Sequence, residues 1–369
     1  MCIYDMLLHD YWRFPQSPSG DPMILRDENQ VAITGIEWQP MSPNRLAVSC
    51  AAGLCIWTIT RGTTDCAGVA LVELGQHEGG RPSFEMSAQK EALPRGMHEH
   101  DFSEVPAWVS TLSHPTHEST STVAWSPDGQ LVAVGCASES NIIVWDVGTE
   151  VPTSIKATPA GITALEWSPS GNFLFAATTA CSVLLWETQT WNHREWAGLD
   201  APCKSACWGK GDQQGPEVVL FHTWNGKTVH ALQTQSYPPA IEASHYRIQD
   251  TSTYEVKVPM NGNRREGKNV RVMGNISHLA WNHDYTRVVV SFEDDASDPH
   301  GPAHMANAIA LYTVDLQRHP VRLEPRGFLV GPENQGGVGQ LSFANNFREG
   351  SLVSVGWRNG EVSLFPLYD

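Results

Sequence analysis

The sequence has no long hydrophobic run and comparatively few basic residues. No stretch of its 369 residues approaches the ~20 consecutive apolar residues that a membrane-spanning helix needs, so we expect no direct insertion into a membrane. The 24 Lys and Arg residues stand against 40 Asp and Glu residues, which gives a formal net charge of -16. A surface that binds nucleic acid is usually basic, so we expect no direct binding to nucleic acid either.

Local catalytic motifs are also missing. The sequence contains no GxSxG elbow, no phosphate-binding P-loop, no HExxH helix and no GxGxxG after a strand. Ser, His and Asp residues are scattered, and a catalytic triad is defined by spatial geometry that spacing alone does not give. We therefore predict a protein that is not an enzyme and that takes no cofactor.

The eight cysteines form no CxxC pair. Four of them, Cys50, Cys55, Cys136 and Cys181, lie within apolar runs, which is typical of small reduced core residues in an intracellular protein. Cys203 and Cys207 are four residues apart on an expected strand, where that spacing places both side chains on one face. We interpret them as packing residues rather than a redox pair.

One cluster of metal-ligand residue types occurs in the chain. The run His98 to Asp101, with His114 and His117 nearby, has the residue types that ligate zinc. It lies in a Pro- and Ser-containing insertion with no rigid element to hold ligands in place. We interpret it as an ordinary surface loop and predict no metal site. The N-terminus lacks a basic region before an apolar core, so the sequence predicts no secretory signal.

The most informative feature is a degenerate repeat. Each copy has a tryptophan, a turn, an apolar run and a second aromatic, and the intervals from Trp125 to Trp167 and from Trp167 to Trp208 are 42 and 41 residues. That is the period of a four-stranded propeller blade. The repeat positions are Trp38, Trp57, Trp125, Trp145, Trp167, Trp186, Trp208, Trp281 and Phe343.

The local chemistry of the copies favours strands. The apolar runs are short, rich in Val, Ile, Leu and Ala, and bounded by turn residues such as Ser126-Pro127-Asp128-Gly129. A single sheet of this kind cannot bury its own faces, whereas a radial array buries each sheet against the next. The sequence therefore predicts an all-β WD-repeat β-propeller with six legible repeat units, in which the tryptophan before each turn packs between neighbouring sheets.

The domain organisation follows from the repeat. Residues 31–369 are predicted to form the propeller, with insertions at 61–121, 232–275 and 293–307. The second insertion contains two extended stretches around Asn261-Gly262, which predict an extra hairpin. Residues 1–30 do not fit the repeat, and we expect this leader to donate a strand that closes the ring against the last copy.

The inner strands and the surface give few functional candidates. The expected inner positions Ile36, Val123, Leu165, Leu279 and Leu341 are apolar, which disfavours a catalytic site in the central channel. The exposed aromatic or arginine residues that could anchor a partner are Trp108, Trp196, Trp224 and Arg358. Sequence alone does not assign the partner-binding residues among them.

The copies also resemble a known family. The segments ITGIEWQPMSPNRLAVSCAAGLCIWTI, STVAWSPDGQLVAVGCASESNIIVWDV, ITALEWSPSGNFLFAATTACSVLLWETQTWNHREW and SLVSVGWRNGEVSLFPLYD occur in the order typical of aladin, the WD-repeat nucleoporin of the nuclear pore complex. The resemblance covers roughly residues 31–368. It is most distinctive at Trp186 to Trp191 and from Ser354 to Tyr368. Relative to that family, which closes seven blades, the chain is shortened at both ends.

The resemblance implies a function. It points to a non-enzymatic scaffold or adaptor at the cytoplasmic side of the nuclear pore complex, held there by other nucleoporins that include a transmembrane nucleoporin of the pore membrane. It also implies support of nuclear protein import and a contribution to spindle organisation. If the shortening prevents docking at the pore, the chain would be cytoplasmic. The alternatives are a soluble WD-repeat adaptor of another multiprotein complex and, more distantly, a propeller enzyme with a metal or acid-base site in its channel.

Overall fold

The structure is a computed structural model of the whole chain. It describes the following residues, and the statements below concern these alone: 2–3, 23–25, 27–42, 44–59, 107–117, 119–156, 160–211, 215–234, 243–248, 253–259, 265–271, 275–293, 308–331, 337–344, 347 and 350–368. The chain divides into two compact units. The first comprises Met1–Asp27 and Trp57–Val109, and the second comprises Glu28–Ile56 and Ser110–Asp369.

All regular elements in the described residues are β-strands. The first three sheets are built from β3 (Gly35–Trp38), β4 (Arg45–Cys50), β5 (Gly53–Ile59), β6 (Ala107–Leu112), β7 (Thr122–Trp125), β8 (Leu131–Gly135), β9 (Asn141–Asp146), β10 (Val151–Lys156), β11 (Ile162–Trp167), β12 (Phe173–Thr178), β13 (Val183–Glu187) and β14 (Asn192–Trp196). They follow two short strands, β1 (Cys2–Ile3) and β2 (Met23–Ile24), which pair with each other.

The second half of the chain continues the same pattern. Its strands are β15 (Cys203–Lys210), β16 (Glu217–Thr223), β17 (Val229–Thr234), β18 (Ala243–Ile248), β19 (Thr253–Pro259), β20 (Arg265–Arg271), β21 (Asn275–Trp281), β22 (Arg287–Glu293), β23 (Ala308–Val314), β24 (Leu323–Val330), β25 (Val338–Ala344), β26 (Gly350–Trp357) and β27 (Val362–Tyr368).

Six of the sheets are consecutive antiparallel meanders. The strand orders are β3-β4-β5-β6, β7-β8-β9-β10, β11-β12-β13-β14, β15-β16-β17-β18, β21-β22-β23-β24 and β25-β26-β27. We refer to them as sheets 1 to 6. Each of the six sequence copies forms one sheet, and the tryptophan or phenylalanine that opens a copy lies on the first strand.

Within the second unit, the first strands of successive sheets contact one another in chain order, from β3 through β7, β11, β15 and β21 to β25. Apolar clusters fill the spaces between the sheets. The cluster between sheets 3 and 4, for example, includes Phe175 and Phe221, both fully buried. The predicted all-β WD-repeat propeller is confirmed, because each sheet buries its apolar second and third strands against its neighbours.

Tight turns follow the opening aromatic, as the sequence predicts. In the second copy, Gly129 N donates to Ser126 O at 2.8 Å, and Gly129 has φ +69°, a conformation that side chains with a Cβ rarely adopt. The third copy repeats this arrangement with Gly171 and Ser168. The Ser-Pro-x-Gly segments therefore reverse the chain between the first and second strands.

Two of the predicted insertions are shorter in the structure, because outer strands occupy part of each segment. The segment 61–121 was expected to be a loop, yet β6 completes sheet 1, and β17 and β18 occupy the beginning of the segment 232–275. The outer strands escape detection because they are mostly exposed and carry no apolar alternation, as in β14 with the sequence NHREW. The hairpin expected around residues 261–262 is present as β19 and β20.

A β-bulge corrects the expectation for the paired cysteines. Cys203 pairs with Thr223, but the next pair in the register is Ser205 with His222, so one residue is unpaired on β15. Cys203 consequently packs in the cluster between sheets 3 and 4, whereas Cys207 packs against the cluster between sheets 4 and 5. The two side chains do not share a face. Both thiols are free, as are Cys50, Cys136 and Cys181.

No helix among the described residues is long and apolar enough to cross a membrane.

Candidate interaction surface and channel

The opening tryptophan of each copy forms a hydrogen bond between sheets. The indole Nε1 of Trp125 donates to Glu37 O, that of Trp167 to Ala124 O and that of Trp208 to Glu166 O, each at 3.1 Å. Trp281 Nε1 donates to Cys207 O at 3.3 Å. In every case the acceptor is the residue before the equivalent tryptophan of the preceding sheet. The repeat tryptophan therefore connects neighbouring sheets both by packing and by a hydrogen bond.

The two ends of the array depart from this rule. Trp38 in sheet 1 is 38% exposed, and the prediction that it packs between neighbouring sheets is wrong. Trp38 belongs to the first sheet of the series, whereas the equivalent tryptophans of sheets 2 to 5 each donate to the sheet before their own. In sheet 6 the position is Phe343, which has no N–H to donate. The second aromatics Trp57, Trp145 and Trp186 are buried on third strands.

The channel side of the inner strands is more polar than the sequence suggested. Leu165, Leu279 and Leu341 point into the sheet interfaces and are buried, so they do not make an apolar channel wall. A cavity of about 310 Å³ instead lies against the first strands of sheets 1 to 3, and its charged lining residues are Glu37 and Glu166. Ile36 and Val123, two of the five expected inner positions, do line this cavity, and the two glutamates make its lining more polar than the sequence predicts.

The carboxyl groups of Glu37 and Glu166 both have raised pKa values. Burial raises the pKa of Glu37 to about 7, although the backbone N–H of Trp125, which donates to Glu37 Oε2 at 3.1 Å, acts in the opposite direction. Burial also raises the pKa of Glu166 to about 8, and repulsion by Glu37 adds to this. Both groups are therefore partly protonated near neutral pH.

A polar cluster occupies one end of sheets 4 to 6. Glu293 Oε1 contacts Lys204 Nζ at 3.3 Å and Arg358 Nη2 at 2.9 Å, and it accepts a hydrogen bond from Ser277 Oγ. These residues lie where the first strand of each sheet begins and the second ends. Two cations and one carboxylate leave this patch with net positive charge on a chain that is acidic as a whole. The cations hold the pKa of Glu293 below its usual value despite burial.

Two histidines lie beneath this cluster. Burial lowers the pKa of His222 to about 3, with repulsion by Lys204 adding to the effect, and burial likewise lowers the pKa of His278. His222 Nε2 contacts Ser205 Oγ at 2.8 Å, and His278 Nδ1 contacts Ser277 Oγ at 2.9 Å. Both rings are therefore neutral at physiological pH and act as hydrogen-bonding supports.

An exposed tryptophan adjoins the cluster. Trp224 is 55% exposed, and Lys204 Nζ lies 5.1 Å from the centre of its ring, within range of a cation–π contact. Arg358 is also exposed. Two of the four sequence candidates for partner anchors thus lie on one patch, which we call the Trp224 face: Lys204, Trp224, Glu293 and Arg358.

The other two candidates do not join them. Trp196 is partly buried against the cluster between sheets 3 and 4, with the Arg194 guanidinium 5.2 Å from its ring. Trp108 is 51% exposed on β6, in the first unit.

Part of the histidine cluster falls outside the described residues, namely residues 98–101. His117 is buried and its Nε2 lies 3.0 Å from Asn141 O, whereas His114 Nδ1 lies 2.8 Å from Thr116 Oγ1. In the portion of the chain that the structure describes, no group of three or more His, Cys, Asp or Glu side chains is arranged to hold a metal ion.

Sequence reasoning missed Lys204, Glu293, Glu37 and Glu166. The first two come together only through the sheet register, which no local motif encodes. The sequence did contain a pattern that could have identified Glu37 and Glu166. The residue before the opening aromatic is small in the other copies, Ala124, Cys207, Ala280 and Ser342, so a glutamate at this position is an exception to the repeat.

Comparison with known proteins agrees with the family resemblance. The chain is 28% identical to aladin of Arabidopsis thaliana over 350 residues, which cover 94% of this chain and 68% of that protein. The family model described as "Eukaryotic translation initiation factor eIF2A" matches residues 97–189, a segment that contains β6 to β13. The resemblance to aladin that the repeats predict is thus confirmed along almost the whole chain, and the eIF2A match is restricted to part of it.

Proposed function

We propose that this chain is a non-enzymatic scaffold of the nuclear pore complex, which binds other nucleoporins through the faces and insertions of a WD-repeat propeller. The observation that carries the proposal is the similarity to aladin, because it extends over 94% of the chain. The fold suits the role, since packed sheets present a rigid surface that needs little reorganisation on binding.

The Trp224 face is our candidate for a partner contact. It combines an exposed indole with Lys204 and Arg358, and tryptophan and arginine are enriched among residues that dominate binding energy. Its ion pairs and the buried histidines beneath it hold the charged groups in place. We expect it to bind an acidic or aromatic segment of another protein.

The proposal also covers how the protein is attached to the pore, where at the pore it lies and which cellular processes it supports. These assignments are attachment through a transmembrane nucleoporin of the pore membrane, a position on the cytoplasmic side of the pore, support of protein import and a contribution to spindle organisation. All of them follow from the resemblance to aladin. None requires a catalytic residue or a cofactor.

An adaptor subunit of another multiprotein complex is the second candidate. The match of residues 97–189 to the eIF2A family favours it, because that family is described as a translation initiation factor. The match covers little more than sheets 2 and 3, which carry the clearest copies of a repeat common to many propellers.

Proximity labelling separates the two candidates. A biotin ligase fused to the full chain should label membrane and scaffold nucleoporins, and the Trp224→Ala plus Arg358→Ala variant should label fewer of them. The matched control is Trp108→Ala, which removes another exposed indole outside the Trp224 face. Labelling dominated by translation factors, with nucleoporins at background level, would reject the proposal in favour of the adaptor.

A further inference from the structure

The cavity against sheets 1 to 3 is lined by two carboxyl groups that have no cationic partner among the described residues. Glu37 on β3 and Glu166 on β11 both line it, beside hydroxyl and aliphatic side chains of β7 and its preceding residue. Among the described residues, no ion pair includes either carboxylate, and no hydrogen bond reaches the side chain of Glu166. A carboxyl group that lines a cavity without a partner is kept protonated by its raised pKa, and a cationic ligand would stabilise its ionised form.

In the part of the chain that the structure describes, no cationic group acts on Glu166. The titratable groups acting on it are Glu37, which repels it, and the thiols of Cys203 and Cys207 on the adjacent strand β15. Burial raises the pKa of both thiols far enough to keep them neutral, and the charge of Glu166 adds to this. The described residues thus supply no positive charge to this pair, and a cationic ligand is the partner that its lining fits.

The number of ligands argues against a metal ion. Calcium and magnesium take six or more oxygen ligands, whereas the cavity has two carboxyl groups and no third acidic side chain among the residues with described positions. A guanidinium group suits this lining better. It is planar, stays charged when desolvated and has five N–H donors, enough to serve two carboxylates at once. The Glu37 Oε2 atom already accepts from Trp125 N, which fixes that side chain and leaves Oε1 for a ligand.

We propose that the cavity between β3, β7 and β11 binds an arginine side chain presented by a partner protein, with Glu37 and Glu166 as the carboxylates that receive it. The volume of about 310 Å³ is at the lower end of the range for small-ligand clefts, which suits one side chain rather than a larger molecule. This site is separate from the Trp224 face, and it does not depend on where in the cell the protein acts.

The test uses the purified full chain and two capped tripeptides, acetyl-Gly-Arg-Gly-amide and its citrulline counterpart, a neutral isostere of the same shape. Calorimetric titration at pH 8.5 and low salt should show the arginine peptide binding at least tenfold more tightly than the citrulline peptide. The affinity for arginine should weaken at least tenfold by pH 6, because both carboxyl groups must lose their protons to form the ion pair.

The variant Glu166→Gln keeps the shape of the side chain and should abolish the preference for arginine. The matched control Glu195→Gln removes an exposed carboxylate from the same sheet and should leave the preference unchanged. Circular dichroism checks that both variants remain folded.

Equal binding of the two peptides by the wild-type chain, or no binding of either at pH 8.5, would overturn the proposal. An arginine preference that survives in Glu166→Gln would overturn it as well. Since these measurements use isolated components, their failure would leave the proposed role at the nuclear pore untouched, and labelling of the wrong neighbours in cells would leave this site untouched.

Discussion

The indole N–H groups of Trp125, Trp167, Trp208 and Trp281 connect each sheet to the one before it. Substitution of one of these tryptophans can remove both packing contacts and a hydrogen bond between sheets. The two contributions can be separated, because phenylalanine keeps most of the ring and lacks the donor, and the chain itself places Phe343 at the equivalent position of sheet 6.

We predict that Trp167→Phe lowers the free energy of unfolding by about 1–2 kcal/mol, the cost of leaving the Ala124 carbonyl without its buried donor together with a smaller ring. Trp167→Ala should cost about 3–5 kcal/mol, because it also leaves a cavity. Denaturant unfolding measures both. The exposed Trp224→Phe is the control and should change little. A fully stable Trp167→Ala would show that this side chain does not hold sheets 2 and 3 together.

Glu166 makes stability depend on pH in a direction opposite to most carboxylates. Its pKa is about 8 in the folded chain, above the unfolded value near 4.5, so the folded state binds more protons between these limits. The free energy of unfolding therefore falls as the pH rises from about 4.5 to about 8. Glu37, with a pKa of about 7, contributes in the same direction.

Glu166→Gln should consequently be more stable than the wild type at pH 9, by on the order of 2–3 kcal/mol after allowance for water in the cavity, and about equal to it at pH 4.5. Thermal melts over this pH range provide the measurement, with Glu195→Gln as the control. A wild-type chain whose stability advantage over Glu166→Gln grows with pH would contradict the assigned sign.

At the scale of the strand and the turn, much of the fold was predictable because the repeat carries it. The opening aromatic, the Ser-Pro-x-Gly turn and the apolar second strand recur, and the structure places them as the sequence predicts. The outer strand β14 could not be predicted, since its residues are mostly exposed and carry no apolar pattern. The bulge at Lys204 could not be predicted either, and it reversed the expected relation of Cys203 to Cys207.

The candidate sites were less predictable than the fold for a related reason. The sequence predicts Trp224 and Arg358 as exposed anchors. It does not predict that they lie beside Lys204 and Glu293, because these contacts join strands that are far apart in the sequence. Glu166 lies in the mostly apolar first strand β11. The register of that strand shifts between Ile162 and Ala164, so simple alternation along the sequence does not show which face each residue lies on.

Substitution of Gly129 tests the contact between the turns of sheets 1 and 2. It has φ +69°, and a Cβ at this position would lie 2.8 Å from Pro40 O, a backbone atom of sheet 1's own turn. Gly198 is a matched control with φ +84° and open space around it. We predict that Gly198→Ala costs about 1 kcal/mol from backbone strain, and that Gly129→Ala costs at least 1 kcal/mol more from the added clash. Equal values in chemical denaturation would show that the contact between the turns of sheets 1 and 2 is absent.

At the scale of the molecule, the first and last sheets both expose apolar side chains within the described residues, among them Trp38 of sheet 1. Sheet 6 has three strands, and its last strand β27 exposes Val362, Leu364 and Tyr368. The prediction that residues 1–30 donate a ring-closing strand was made for this edge, and it stays a prediction because most of those residues lie outside the described part of the chain.

Deletion of residues 1–20 tests that prediction. If the leader supplies a strand to β27, the deletion removes hydrogen bonds and covering apolar surface, and the melting temperature should fall by several degrees. A deletion of residues 61–80 is the matched control, since it removes a segment of the same length from the first predicted insertion and should have a smaller effect. An unchanged melting temperature after the N-terminal deletion would contradict the idea.

The central claim is that this rigid array serves as a scaffold at the nuclear pore. Imaging of a fluorescently tagged full chain in interphase cells tests it most directly. The account predicts a continuous signal at the nuclear rim that coincides with other nucleoporins, and a diffuse signal with no enrichment at the rim would contradict it.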